Sequence, residues 1–241
     1  MDPDAAIILD RIQVDLQNHA DPDFRIRAAE YCDRDIGRFL GVRTPIVREI
    51  GARYFKKVES RGIDGVLELC ERLLKTTLSE HRTIAFDWSF RCSRQYRPDH
   101  FDVLERWLEV CVDGWGSCDD LCTHAVGDFV LQYPEFIPRV KEWSRSANRW
   151  LRRASAVTFI YGARRGKNLE HVFQVADALL TDPDDMVQKG CGWMLKVASK
   201  TYPDEVFDYV MHHKAAMART VLRYAIEKLP EERRRRPMRK E

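Results

Sequence analysis

Trp115, Ser117 and Asp119 occur within one five-residue segment whose residue types could do chemistry. If Ser117 caps a helix, Asp119 falls in its first turn, where the helix dipole and unpaired N–H groups favour an ionised carboxylate. A fixed, ionised carboxylate can stabilise positive charge that develops on a reacting group. An acidic residue also suits a first turn without any chemical role, because it stabilises the helix by about 0.3–1 kcal/mol. Both interpretations stay open on these residues alone.

Two later segments align weakly with this one, and both carry basic residues. One begins at Trp150, 33 residues after Ser117, and the other begins at Val187, 37 residues further on. Unequal periods of this size are typical of HEAT-like helix pairs, which stack because no pair can bury its apolar face alone. In a regular stack, the first turns of the inner helices share one concave surface. We therefore expect a single groove to be lined by Asp119, Arg152, Arg153 and Lys189.

The elements that must position these residues are helices. Apolar residues recur at helical spacing in 101–112, 172–180 and 187–198, and no pair of alternating strands joined by a tight turn stands out. The run 156–161 has strand-like composition but continues a helical pattern, so we predict that it is the buried end of a helix. Proline marks the breaks between helices, at Pro134, Pro183 and Pro203. Thr44 is the predicted N-cap of a helix with Pro45 at its first position.

The short loops between these helices make consecutive helices antiparallel neighbours. The predicted fold is therefore all-α, a superhelical solenoid of antiparallel HEAT-like helix pairs with a concave face. We expect one domain over residues 1–230. The basic segment 231–241 is predicted to be a disordered, solvated tail, and the alternative is a non-specific phosphate-binding arm.

Composition argues against a membrane protein, a secreted protein and a zinc protein. The 241 residues include 40 basic and 38 acidic side chains, and the net charge of +2 argues neither for nor against nucleic acid. There is no apolar run long enough to span a membrane and no basic signal region, so we expect a cytoplasmic location. The seven cysteines are expected to be reduced and mostly buried. Cys118, Cys122 and His124 do not match a zinc spacing, and no metal site is predicted.

Four motifs in order resemble the AlkD family of DNA glycosylases. The first is Trp115 with Asp119 four residues later, continued by Gly127-Asp128-Phe129. The arginine segment 150–154 and the segment 188–193 resemble two further family motifs, and 39–45 is similar to an N-terminal family signature. Weaker agreement comes from 202–204 and 223–226. The resemblance spans residues 25–228.

This resemblance implies a metal-independent enzyme that needs no cofactor. It implies hydrolysis of the N-glycosidic bond of 3- or 7-alkylated purines in double-stranded DNA, by a monomer. Asp119 would be the catalytic carboxylate, and Trp115 and Trp193 would flank the lesion with aromatic faces. Basic and polar side chains would bind the DNA backbone: Arg153, Arg152, Lys189, Arg43, Thr44 and Arg223.

The sequence departs from the family pattern around the motif tryptophan. Gly114 and Gly116 stand where the family often has an aromatic and an acidic residue. The N-terminal tyrosine of the family matches either Tyr31 or Cys32. The alternative function is therefore a HEAT-like module that binds DNA or a protein without catalysis. The retained Asp119 favours the enzyme, because an acidic group in a DNA groove weakens binding unless it has a chemical role.

Overall fold

A computed structural model describes residues 3–32 and 38–238, and the described part of the chain contains helices and no strands. The chain divides into two compact units, Met1–His100 and Phe101–Glu241, and one domain over 1–230 stays a prediction. None of the described helices is long and apolar enough to cross a lipid bilayer.

Unit 1 contains the first five helices. They are α1 (Pro3–Asn18), α2 (Pro22–Cys32), α3 (Thr44–Val58), α4 (Gly62–Lys75) and α5 (Ser79–Arg91). Helix α5 packs against both α3 and α4, and α1 packs against α3. The side chains of Tyr31 and Cys32, which compete for the family tyrosine, lie outside the described residues.

A buried carboxylate organises the turn that precedes α3. Glu80 is 1% exposed and accepts hydrogen bonds from the backbone N–H groups of Leu40, Gly41 and Val42 at 3.1, 3.0 and 3.1 Å. Gly41 has a φ of +93°, and a Cβ there would lie 2.6 Å from the carbonyl oxygen of Asp21. The glycine of the 39–45 signature is therefore required by backbone geometry.

Unit 2 contains the remaining helices. They are α6 (His100–Val110), α7 (Trp115–Leu121), a π-helical turn (Cys122–Val126), α8 (Gly127–Gln132), α9 (Ile137–Glu142), α10 (Arg149–Val157), α11 (Phe159–Ala163), α12 (Leu169–Leu179), α13 (Asp185–Ala198), α14 (Pro203–His213), α15 (Arg219–Ala225) and α16 (Glu231–Met238). The three periodic segments fall on α6, α12 and α13, as predicted. The run 156–161 contains no strand, but it spans the end of α10 and the start of α11, with a break at Thr158, and is not the end of a single helix. The cysteines of the described residues are free thiols, all buried except the partly exposed Cys111.

Helices α7, α10, α13 and α15 form a row in which each packs against the next. Helices α12 and α14 both pack against α13, as the second helices of stacked pairs do. The weak internal repeat predicted that the segments at 117, 150 and 187 occupy equivalent inner helices, and they lie on α7, α10 and α13. The predicted solenoid therefore brings the candidate residues onto neighbouring helices.

The C-terminal segment differs from its prediction. We expected 231–241 to be disordered, yet the chain there forms α16 as far as residue 238. Arg233 forms an ion pair with Asp204, and the guanidinium groups of Arg233 and Arg236 lie 5.4 and 5.9 Å from the ring centre of Phe207. These contacts with α14 hold the segment, and a run of charge gives no sign of such long-range partners.

Candidate active site

An ion pair between α7 and α10 forms the centre of the site. The Nε and Nη2 groups of Arg153 donate to Oδ1 and Oδ2 of Asp119, both at 2.9 Å. Nη1 of Arg153 donates to the carbonyl oxygen of Met186 at the start of α13. The side chains are 6% and 17% exposed for Arg153 and Asp119. Three adjacent helices thus fix the orientation of one carboxylate, with a small part of it open to solvent.

The local structure around Asp119 corrects the predicted cap. Gly114, and not Ser117, is the N-cap of α7. Ser117 is the third helical residue, where its Oγ accepts from the backbone N–H of Gly114 at 3.3 Å and donates to the Gly114 carbonyl at 3.0 Å. Asp119 is the fifth helical residue and lies in the second turn, beyond the reach of most of the dipole effect.

Burial governs the protonation of this carboxylate. Desolvation raises the pKa of Asp119 above its ordinary value of 3.8, while hydrogen bonds from Arg153 oppose the rise and the charge of Asp120 adds to it. The expected lowering of the pKa by the helix dipole is therefore wrong. Burial alone would lower the pKa of Arg153, but hydrogen bonds to Asp119 raise it, so the arginine stays charged.

Two glycines of α13 allow the helices of the row to approach closely. A Cβ at Gly190 would lie 3.0 Å from Cγ of Arg153, so the glycine makes room for the stem of the arginine. A Cβ at Gly192 would lie 2.5 Å from Cβ of Tyr224 on α15. The two glycines of the 188–193 motif therefore face different neighbours, and the first faces the site.

The tryptophans of the motif differ in their surroundings. Trp115 is the first residue of α7 and is 40% exposed, the one aromatic among the exposed large apolar side chains of the described residues. Trp193 on α13 is half-buried. A Cβ at Gly114 would meet nothing within 4 Å, so an aromatic side chain there would enter open space. The exposed face of Trp115 is available to a ligand.

A comparison of the sequence with family models gives a match over most of the chain. A model described as "DNA alkylation repair enzyme" matches residues 12–229. The chain belongs to the DNA alkylation repair enzyme family. No curated protein matches the sequence significantly.

A solved structure shares the fold of this DNA alkylation repair family member. It is described as "Predicted DNA alkylation repair enzyme from Enterococcus faecalis" and superimposes with a TM-score of 0.77 at 16% sequence identity. The match covers 88% of this chain and 98% of that one. At this identity the likeness establishes the fold, an all-α helical solenoid.

Arg152, a predicted phosphate contact, has several hydrogen-bond partners within the protein. Its Nε donates to Asp182 at 2.7 Å, and its Nη1 donates to the carbonyl oxygens of Ser146 and Ala147 at 2.9 and 3.1 Å. These bonds tie two loops of the alkylation repair fold together. Arg153 is likewise engaged by Asp119 through two of its N–H groups, and its predicted contact with a DNA phosphate stays a prediction. Each arginine has a carboxylate partner because burial of an unpaired charge is costly.

The other predicted DNA contacts are more accessible. Lys189 is half-buried and pairs with Asp185 at 2.6 Å on the same helix. Arg223 is exposed on α15. In unit 1, Arg43 and Thr44 are exposed at the start of α3, and Arg43, not Thr44, is its N-cap. The guanidinium of Arg43 lies 4.7 Å from the ring centre of Phe24.

Sequence reasoning missed the π-helical turn that follows Asp119 by three residues. Such turns are common at functional sites because the extra residue redirects the helix. Gly127 ends the turn, and a Cβ there would lie 2.6 Å from Cβ of Tyr161 and 2.9 Å from the Thr158 carbonyl. The glycine was the available signal, since it marks a close helix contact.

Trp150 was also missed as a link between helices. Its carbonyl accepts a hydrogen bond from the buried Cys118 thiol at 3.5 Å, and the guanidinium of Arg149 lies 5.0 Å from its ring centre.

His124 donates to the Asp120 carbonyl at 2.9 Å. Over the described residues, no three His, Cys, Asp or Glu side chains are grouped to hold a metal ion.

Proposed function

We propose that this DNA alkylation repair enzyme is a glycosylase that hydrolyses the N-glycosidic bond of cationic 3- or 7-alkylated purines in double-stranded DNA. The observation that carries the proposal is the Asp119 carboxylate, buried on one side, fixed through both oxygens by Arg153, and placed on the same short helix as the exposed Trp115. A fixed carboxylate of this kind, in a protein whose family repairs alkylated DNA, suits the stabilisation of positive charge on a damaged nucleotide.

The chemistry follows from the state of the substrate. A purine alkylated at N3 or N7 carries a positive charge and leaves readily, so the enzyme has to stabilise the sugar as it becomes an oxocarbenium-like cation. A preorganised carboxylate in a site of low dielectric does this more strongly than one in water. The same carboxylate can orient the water that attacks the sugar.

Arg153 acts in this account as a positioning residue. Three of its N–H groups donate to Asp119 and to the Met186 carbonyl, so the guanidinium charge acts mainly on the Asp119 carboxylate. Its paired donors bind both carboxylate oxygens and so fix the orientation of the carboxylate, and they counter part of the rise in the pKa of Asp119 that burial causes. The aromatic faces of Trp115 and Trp193 would border the cationic nucleotide.

A second candidate is a DNA-binding module without catalysis. The specific observation in its favour is that both oxygens of Asp119 accept from Arg153, which is also how a purely structural buried ion pair is made. The open space at Gly114 adds to it, since the site lacks one aromatic surface of the family pattern.

Release of 7-methylguanine and 3-methyladenine from methylated duplex DNA separates the two candidates. For a glycosylase, Asp119→Asn lowers the release rate by about 100-fold or more, the usual effect of losing a charge-stabilising group. It leaves binding to undamaged DNA in place.

The matched control is Asp182→Asn, which weakens the neighbouring ion pair with Arg152 in the same unit. It should lower the melting temperature in the same way while leaving the release rate of the folded enzyme near that of the wild type. A wild type that binds DNA but releases neither base would favour the binding module.

A further inference from the structure

A cleft of about 630 Å³ opens in unit 2 between α15 and α16. The family match ends at residue 229, so α16, which begins at Glu231, is an addition to the matched region. Arg223 projects into the cleft from α15, and Arg234 and Arg235 project from α16. The added helix thus completes a site that the matched region alone would leave half open.

Helix α16 presents different residues to its two neighbours. Arg233 and Arg236 contact Phe207 on α14, and Arg233 also pairs with Asp204. Arg234 and Met238 lie one helical turn apart and line the cleft. The docking contacts therefore fix which arginines face the cleft.

The two carboxylates of the cleft already have cationic partners. Glu227 accepts from Lys196 at 2.9 Å and lies 3.3 Å from Nζ of Lys228. Glu231 pairs with Arg235 one turn along α16. These pairs neutralise both acidic groups. The net positive charge of the cleft therefore comes from the arginines that have no carboxylate partner.

Arg223 and Arg234 are those remaining arginines. Both are exposed, and across residues 3–32 and 38–238 neither side chain has a hydrogen bond or an ion pair with another side chain. Two guanidinium groups that line one cleft, neither of them paired with a carboxylate of the described residues, suit the oxygens of a phosphate, which arginine binds through paired N–H donors.

We propose that Arg223 and Arg234 form a phosphate-binding site completed by the added helix α16, and that its ligand is a backbone phosphate of DNA. The choice of DNA over a free phosphate rests on the proposed function. The site contributes affinity and register without contacting the reacting nucleotide, since phosphate contacts position a protein on DNA.

The place of the cleft along α13 supports a DNA phosphate. Gly190 of α13 lies against Arg153, and Gly192 lies against Tyr224 of α15. Lys196, which follows Gly192 by about one turn, binds Glu227 at the cleft. Gly190 and Lys196 are separated by about 9 Å along a helix axis. The cleft therefore lies near the C-terminal end of the helix whose Gly190 contacts Arg153, on the row of helices that also carries Asp119.

The test measures binding of undamaged duplex DNA by full-length protein across a range of KCl concentrations. For the double variant Arg223→Ala, Arg234→Ala, the slope of log K against log salt should decrease in magnitude by about 0.9, the value for one phosphate contact. Affinity near 0.1 M salt should fall by roughly 5- to 20-fold. The lysine pair Arg223→Lys, Arg234→Lys should keep the slope and lose only part of the affinity.

The control removes the same charge from exposed positions of unit 1, with Lys75→Ala and Arg94→Ala. A double cleft variant whose slope and affinity equal those of this control would overturn the proposal. Inorganic phosphate is the second probe: if it raises the melting temperature of the wild type but not of the cleft variant, while DNA binding is unchanged, the DNA assignment is wrong. Because undamaged DNA is not a substrate, this binding test does not depend on base release. The phosphate site and the glycosylase activity can therefore each be contradicted without the other.

Discussion

At Asp119, two opposing effects act on one carboxylate. Burial destabilises its charged form, and two hydrogen bonds from Arg153 stabilise it. The balance leaves the pKa above 3.8, so the group is costly to keep ionised but is held in a single orientation. That combination is typical of catalytic carboxylates, because a group poised in a dry site interacts strongly with charge that develops beside it.

The pH dependence of base release follows from that balance. A protonated Asp119 cannot stabilise a cation, so release should be lost as the pH falls through its raised pKa. The acid side of the single-turnover profile should therefore have its midpoint above pH 3.8, the ordinary value for an aspartate. The measurement uses methylated duplex DNA with a no-enzyme control at each pH. A midpoint at or below 3.8 would contradict the described environment.

Arg153→Lys tests the positioning role. The lysine keeps a positive charge but cannot bind both carboxylate oxygens, so the release rate should fall by about 10- to 100-fold. The midpoint of the acid side should also move to higher pH, because Asp119 loses hydrogen bonds that lower its pKa.

Arg152→Lys is the control, since that arginine pairs with Asp182 and not with the proposed catalytic carboxylate. A purely structural role for Arg153 would lower the melting temperature of both variants and leave both pH profiles in place.

At the scale of the element, α13 joins the site to the rest of the row through two glycines. Gly190→Ala would push against the stem of Arg153, and Gly192→Ala would push against α15. Each should reduce the free energy of unfolding by about 1–3 kcal/mol, as overpacking usually does.

The two glycine variants should differ in activity. Gly190→Ala should also slow base release per folded molecule, because it displaces the residue that orients Asp119. Gly192→Ala should not. Denaturant unfolding and single-turnover release measure the two effects separately. Equal release rates would show that α13 does not position the site through Arg153.

The elements themselves were largely predictable from the sequence. Apolar spacing placed α6, α12 and α13, and proline marked breaks such as the one before α14. The weak internal repeat placed Asp119 and Arg153 on neighbouring helices. It could not show that they bind each other, because a side-chain pair between helices depends on packing that leaves no local pattern. The N-cap at Gly114 was missed because Ser117 is itself a favourable cap residue.

At the scale of the whole molecule, the proposed chemical groups all lie in unit 2, whereas the predicted DNA contacts Arg43 and Thr44 lie in unit 1. Arg43→Ala should weaken binding of undamaged duplex DNA by a few-fold, since one phosphate contact is lost. The single-turnover release rate at saturating enzyme should stay unchanged. Arg94→Ala, an exposed arginine of the same unit, is the control. A fall in the saturated rate would mean that Arg43 contributes to the chemistry.

Charge is distributed so that a nearly neutral protein can still bind DNA. The net charge is +2, yet the docking of α16 leaves Arg223 and Arg234 together without acidic partners in the described structure. The sequence showed the run of arginines but not its folding, because Phe207 and Asp204 on α14 supply the contacts. Ion pairs between neighbouring side chains therefore determine which part of the surface keeps a net positive charge.

The single-turnover release of 7-methylguanine from methylated duplex DNA decides whether Asp119 is a catalytic carboxylate. Enzyme is held above the concentration that binds all of the DNA, for wild type, Asp119→Asn and Asp182→Asn. A glycosylase that depends on Asp119 gives rapid release for the wild type and Asp182→Asn, and a rate lower by about 100-fold or more for Asp119→Asn with DNA still bound. Equal rates for Asp119→Asn and the wild type would contradict this role.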